Sequence, residues 1–216
     1  MDALIKAARL FILASPVVMT LAQAAQAQTV VTTTVYEEAS PECAQGIAQF
    51  GPFAVTSGSE AQMCGETDAA TPGDFRRMIA AYPALRTIRL IDVAGTHNDD
   101  ANFALARMIR KAGIATIVPQ GGSVRSGGVE LFLAGVRRVA EPGAEFGVHS
   151  WQAMDGTDAR DAAANDPAHA QYVGYYQEVG FSPEQARSFY AFTNKVAFND
   201  VHYMTPDELR RFAIVN

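Results

Sequence analysis

"VPQGGSVRSGGVELFLAG", Val118 to Gly135, is the stretch on which the reading of this chain turns. Two serines, Ser123 and Ser126, stand among the glycine pairs Gly121–Gly122 and Gly127–Gly128, and an apolar run follows. The nucleophile elbow of α/β-hydrolases needs G-x-S-x-G. Around Ser126 the sequence is "VRSGG", with Val124 at the first glycine position. Around Ser123 it is "GGSVR", with Arg125 at the last. An S-x-x-K pair is absent too. Ser126 stands where a buried strand hands over to a helix. There backbone N–H groups are unpaired and the helix dipole favours negative charge, so the Gly127 N–H is available to an oxyanion. The same position suits a plain helix cap. Local sequence leaves both roles open.

Outward from this stretch, strands and helices alternate. "GPFAVTSG" and "EAQMCGE" read as short strands. "TPGDFRRMIAAYP" reads as a helix with Asp74 as N-cap and Phe75, Met78, Ile79 and Tyr82 on its buried face. "RTIRLIDVAG" is a strand, and "NDDANFALARMIRKAG" an amphipathic helix stopped at Gly113. "IATIV" is apolar throughout, as expected of a parallel sheet covered on both faces. "VRRVAEPGAEFGVHSW" gives two strands around Pro142–Gly143. Residues 154–167 form a polar loop expected to be mobile. Three helical segments follow. Ser182 with Gln185, and Thr205 with Glu208, have capping-box spacing. Such alternation with short connections implies an α/β domain with right-handed crossovers.

The chain opens "MDALIKAARLFILASPVVMTLAQAAQAQ". A basic start, a short apolar stretch and a small-residue A-x-A end at Ala25–Ala27 have the anatomy of a secretory signal peptide, expected over 1–27. Pro16 and the shortness of the apolar run argue against a membrane anchor, which needs about 20 apolar residues. Residues 28–50 are expected to be a lead-in segment and 51–216 the folded domain. The implied localisation is periplasmic or secreted, with no stable membrane span after cleavage. The whole chain carries a formal charge of −6. Cleavage removes Asp2, Lys6 and Arg9, so the mature chain is more acidic still. That balance, with no cluster of Lys or Arg, argues against a nucleic-acid partner. The two cysteines, Cys43 and Cys64, lack Cys-x-x-Cys spacing. In an exported chain they are expected to form a disulfide, worth about 3 kcal/mol in the loop-entropy model.

Of the four histidines, His149 ends the apolar strand "AEFGVHSW" beside the polar loop, a usual place for a catalytic group. His97 lies near Asp99 and Asp100, but no tight histidine pair supports a metal, and a helix N-terminus attracts Asp in any case. No metal or cofactor is expected.

From about Phe53 to Asn216 the chain resembles the Clp-protease proteolytic-subunit and crotonase-like fold family, and within it the exported Clp-protease-like proteins of Gram-negative bacteria. Four blocks carry the resemblance, in the family's order. "IRLIDVAGT" stands where the family has a strand followed by N-S-P-G-G. "SGGVELFLAG" stands where it has the nucleophilic serine, a small pair and an apolar helix. "PGAEFGVHSW" stands where a strand ends in the catalytic histidine. "HYMTPDELRRFAIVN" stands at the closing block. The resemblance implies an α/β spiral of repeated β-β-α units with C-terminal helices. It also implies Ser126 as nucleophile, His149 as general base, and Gly127 and Thr96 as N–H donors to the oxyanion. Asp200 is the nearest candidate for the third triad member, with Asn199 beside it. The chemistry would be acyl transfer on a peptide or small acyl substrate, in a homo-oligomer.

The departures are specific. N-S-P-G-G has become Asp92 to Thr96, and the Thr96 β-carbon is expected to crowd a substrate backbone. Thr96 with Asp99 also has capping-box spacing. Arg125 precedes the serine, where it could bind a substrate carboxylate or lower the basicity of His149. Glu130 interrupts the apolar helix, with Arg125 and Arg137 as its candidate partners. These features keep a second reading in play, a catalytically inactive fold serving as an oligomeric binding or assembly module. A crotonase-type acyl-coenzyme-A enzyme, which needs no serine, is disfavoured by export.

Overall fold

Strand β4, Thr87–Thr96, is the axis of the architecture. The structure is a computed structural model and describes residues 42–215. The expected signal peptide, and the lead-in as far as residue 41, lie outside the described residues. On one side β4 pairs in parallel with β3, Glu60–Thr67, which continues antiparallel to β2, Phe53–Val55, and β1, Ala48–Phe50. The sheet therefore takes in Ala48–Phe50 from the lead-in segment. On its other side β4 changes partner along its length. Thr87–Arg89 pairs with β5, Ala115–Val118, and Asp92–Val93 pairs with β6, Ser123–Arg125. The sheet forks there. One branch ends at β7, Arg138–Ala140, on β5. The other runs through β8, Glu145–Val148, to β9, His202–Tyr203. The turn at Pro142–Gly143 thus joins two strands that do not pair with each other but lie on different branches.

Helices cover this sheet. They are α1 (Thr71–Ala81), α2 (Asp99–Lys111), α3 (Gly127–Leu133), α4 (Pro167–Glu178), α5 (Pro183–Thr193) and α6 (Pro206–Arg211). The succession β5–β6–α3 is followed by β7–β8 and, across the polar loop, α4. These are the repeated β-β-α units of the expected spiral, closed by α5 and α6. Helix α3 is buried along its whole length. Phe103 on α2 packs edge-on against Tyr172 of α4 at 5.0 Å between centroids, and Tyr176 of α4 against Phe189 of α5 at 4.9 Å. Such pairs add about 0.5–1.5 kcal/mol each to the burial of the rings, and they fix α4 against α2 and α5 against α4.

The capping boxes of Ser182 with Gln185 and Thr205 with Glu208 are both formed. Two other caps differ from expectation. Asp74 is not the N-cap of α1. The helix begins a turn earlier, and Asp68 gathers the N–H groups of Ala70 and Thr71 and the Thr71 hydroxyl. Asp74 instead pairs with Arg77 on the next turn. The Thr96–Asp99 box does not form either. Asn98 caps α2 by accepting from the Ala101 N–H, because its extended backbone points its carboxamide at the free amides. Cys43 and Cys64 form a disulfide with Cα atoms 6.2 Å apart, tying the chain before β1 to β3. No described helix is long and apolar enough to cross a membrane.

Candidate active site

Strand β6 stops at Arg125 and α3 starts at Gly127, so Ser126 must turn the chain in one residue. It does so at φ 48°, ψ −127°, a backbone region that costs a non-glycine residue about 1–3 kcal/mol. Its side chain makes no capping bond to the helix, so the capping role that local sequence left open is not taken up. The Ser126 N–H donates to the Gly147 carbonyl at 2.9 Å, and its carbonyl accepts from Val129 at 2.9 Å. Gly95 faces it from β4, where an added β-carbon would come 3.1 Å from the Ser126 β-carbon.

The next peptide is held as firmly. Asn102 donates through Nδ2 to the Gly127 carbonyl at 2.9 Å, and its Oδ1 accepts from the buried Thr67 hydroxyl at 2.9 Å. A β-carbon on Gly127 would lie 2.8 Å from Thr96 Cγ2 and 2.9 Å from Asn102 Nδ2. The Thr96 side chain therefore packs over Gly127, and its hydroxyl bonds the Asn98 backbone. Gly127 N–H stands at the first position of α3, which has no intrahelical acceptor. The His97 N–H donates to Thr67 on the β3 side. Strand alternation then turns the Thr96 N–H to the opposite edge, the side of β6 and Ser126.

His149 follows β8 directly. Its Nδ1 lies 2.7 Å from the Ser150 carbonyl. A carbonyl only accepts, so Nδ1 carries a proton, and in the neutral ring the lone pair is then on Nε2. Phe198 packs edge-on against the imidazole at 5.2 Å. Ser126 and His149 line one cavity of about 20 Å³, room for about one water, with Glu130, Tyr172, Tyr176 and Tyr190 around it. Among the described residues no hydrogen bond joins Ser126 to His149. Catalytic bonds often tighten only when substrate binds.

Two acids shape the electrostatics. Glu130 is buried, and its Oε1 accepts from the Tyr176 hydroxyl at 2.8 Å. Burial pushes its carboxyl up to about 7, against the pull of that hydrogen bond. Burial also raises Asp99. The Tyr172 hydroxyl, 3.0 Å away, draws it back, Asp100 adds to the rise, and His149 lies near enough to oppose it by charge. Neither Arg125 nor Arg137 pairs with Glu130. Arg125 points to the other face of β6, where it bonds Asp92 at 2.7 Å and Ser123 at 2.6 Å.

The structure thus brings Ser126, Gly127, Thr96 and His149 together. Asp200 stands apart. It is exposed, its carboxylate accepts from the Val201 N–H at 2.8 Å, and no hydrogen bond or ion pair links it to His149 among the described residues. The neighbouring Asn199 is exposed as well. Sequence reasoning passed over Thr67, Asn102, Ser150 and Asp158. Asn102 left a signal, a carboxamide on the buried face of an otherwise apolar helix stripe.

No protein-family model matches the chain, and no curated protein does. Solved structures do. A mutant of ClpP1 from Listeria monocytogenes superposes with a TM-score of 0.52 at 17% identity, covering 74% of this chain and 90% of that one. A mutant of the 1510-N membrane-bound stomatin-specific protease, in complex with a substrate peptide, gives 0.51 at 19% identity, covering 72% and 71%. At these identities the likeness is one of architecture, and what it establishes is that this chain has a Clp-protease-like fold.

Proposed function

We propose that the chain is a serine hydrolase of peptidase type, working by acyl transfer from Ser126. The observation that carries this reading is the state of the serine. It is held in a strained turn, caps nothing, and shares a cavity with a histidine whose Nδ1–H is already committed to a carbonyl. His149 Nε2 takes the proton as Ser126 Oγ attacks the acyl carbon, then returns it to the leaving amine. Water repeats the sequence to release the acid. The N–H groups of Gly127 and Thr96 receive the oxyanion. The sequence suggested Asp200 as the orienting acid. The support in the structure lies elsewhere, in the Ser150 carbonyl on Nδ1 and the charge of Asp99 nearby.

The same proposal places the protein outside the cytoplasm, periplasmic or secreted, as a homo-oligomer acting on peptides or small acyl compounds. The signal-type start and the Cys43–Cys64 bridge support an oxidising compartment. A fluorophosphonate probe tests the chemistry. It should label the wild-type protein and not Ser126→Ala, and His149→Ala should slow labelling by about 10²-fold or more. A folded wild-type protein that is not labelled would instead favour the inactive binding or assembly module.

A further inference from the structure

We propose that Asp158 is a positioning residue of this site. Acting through Ser150, it holds the His149 imidazole in the tautomer that leaves Nε2 basic. The role rests on the hydrolase reading for its purpose, but its geometry stands alone. Ser150 is fully buried, and its hydroxyl donates to Asp158 Oδ1 at 2.9 Å. The carbonyl of that same residue accepts from His149 Nδ1. Asp158 Oδ2 accepts from the Phe198 N–H at 2.9 Å, and the Phe198 ring packs on the imidazole. One carboxylate therefore fixes both the residue that bonds the histidine and the ring that walls it.

The carboxylate is itself well anchored. Arg160 binds it through its backbone N–H at 2.9 Å and through its guanidinium at 3.0 and 3.2 Å. The Arg160 side-chain bonds, with those of the Arg160 and Phe198 amides and the Ser150 hydroxyl, hold it well below the usual carboxylate range. It stays charged across the neutral range, so the anchor does not let go there. Asp158 lies in the polar stretch 154–167 that the sequence suggested would be mobile. Here that stretch is tied to the strand end at Ser150 and to the segment carrying Phe198. No carboxylate reaches Nδ1 directly among the described residues, and Asp158 supplies at one remove the hold that a triad acid gives by contact.

The test uses the purified chain labelled with 15N-histidine, the His149 signal being assigned by its loss in His149→Gln. The wild type should show one neutral tautomer, protonated at Nδ1. Asp158→Ala should mix the tautomers and slow fluorophosphonate labelling about tenfold or more, the scale on which a histidine's orienting partner matters. Asp158→Asn keeps an oxygen for the Ser150 hydroxyl and should preserve the tautomer. Ser150→Ala keeps the carbonyl but loses the tether while Phe198 stays bonded. It should therefore mix the tautomers and slow labelling in the same direction as Asp158→Ala and by no more, and the double variant should be no slower than Asp158→Ala. An Asp158→Ala protein with unchanged near-ultraviolet circular dichroism, the wild-type tautomer and the wild-type labelling rate would overturn the proposal. If that variant does not fold, Ser150→Ala decides by the same two readouts. A wild type that is never labelled, but whose tautomer still depends on Asp158, would remove the hydrolase reading and leave the positioning role in place.

Discussion

Gly95 and Ser126 meet across the β4–β6 junction so closely that a β-carbon on Gly95 would lie 3.1 Å from that of Ser126 and 3.5 Å from its hydroxyl. Gly95 also has φ 143°, a conformation that other residues rarely adopt. Gly95→Ala should therefore displace the serine as well as strain the backbone. We expect a loss of about 1–3 kcal/mol in urea unfolding, with fluorophosphonate labelling reduced more than the fraction unfolded explains.

The strain at Ser126 predicts opposite effects on stability and chemistry. Glycine accepts φ 48° readily, so Ser126→Gly should gain about 1 kcal/mol over Ser126→Ala in urea unfolding. Both variants should be inert to the probe. Equal stability of the two would mean that the turn relaxes in solution.

Asn102 links two buried groups, the Thr67 hydroxyl and the Gly127 carbonyl. Asn102→Ala leaves the Gly127 carbonyl without its side-chain donor and the Thr67 hydroxyl with only the Gly95 carbonyl at 3.5 Å, and should cost about 1–3 kcal/mol. Asn102→Asp keeps an acceptor for Thr67 but cannot donate to Gly127 when ionised. Its labelling rate should therefore fall further than its stability, as measured by parallel probe kinetics and unfolding.

Glu130 makes stability depend on pH in a definite direction. Its carboxyl is raised from 4.5 to about 7, so between those values the folded chain holds a proton that the unfolded chain has released. This contribution is full below about pH 4.5 and is lost as pH rises through about 7. Glu130→Gln removes the titration. The difference in unfolding free energy between variant and wild type should shift in favour of the variant by up to roughly 3 kcal/mol from pH 4.5 to 8. A pH-independent difference would mean that folding leaves the Glu130 carboxyl unshifted.

The Cys43–Cys64 bridge closes a loop of 21-residue separation. The double variant Cys43→Ser, Cys64→Ser should lose about 3 kcal/mol against the oxidised wild type in urea unfolding. Reduction of the wild type by dithiothreitol should produce the same shift.

The fold was legible because its signals are periodic and local. The apolar run of β5, the stripe on α2 and the two capping boxes each declare an element without tertiary information. The handover at Ser126 was legible from the glycines that let α3 approach β4. The partner change along β4 was not, because a parallel strand carries no mark of which neighbour it will take. Asp74 and Thr96 were misread as caps for a related reason. Spacing shows which residues can cap, while backbone direction selects Asp68 and Asn98. Around His149 the nearest acid in sequence register, Asp200, faces water. The residue tied to the histidine's surroundings, Asp158, comes from a stretch whose composition suggests only a loop.

The Pro142–Gly143 turn is exposed and joins strands on separate branches of the fork. A single peptide cleavage there would leave every strand pairing intact while parting Ser126 from His149 onto different fragments. Co-expressed as 1–142 and 143–216, the two pieces should recover probe labelling only when they reassociate. The turn would then serve as a seam for a two-part reporter whose readout is chemistry at Ser126.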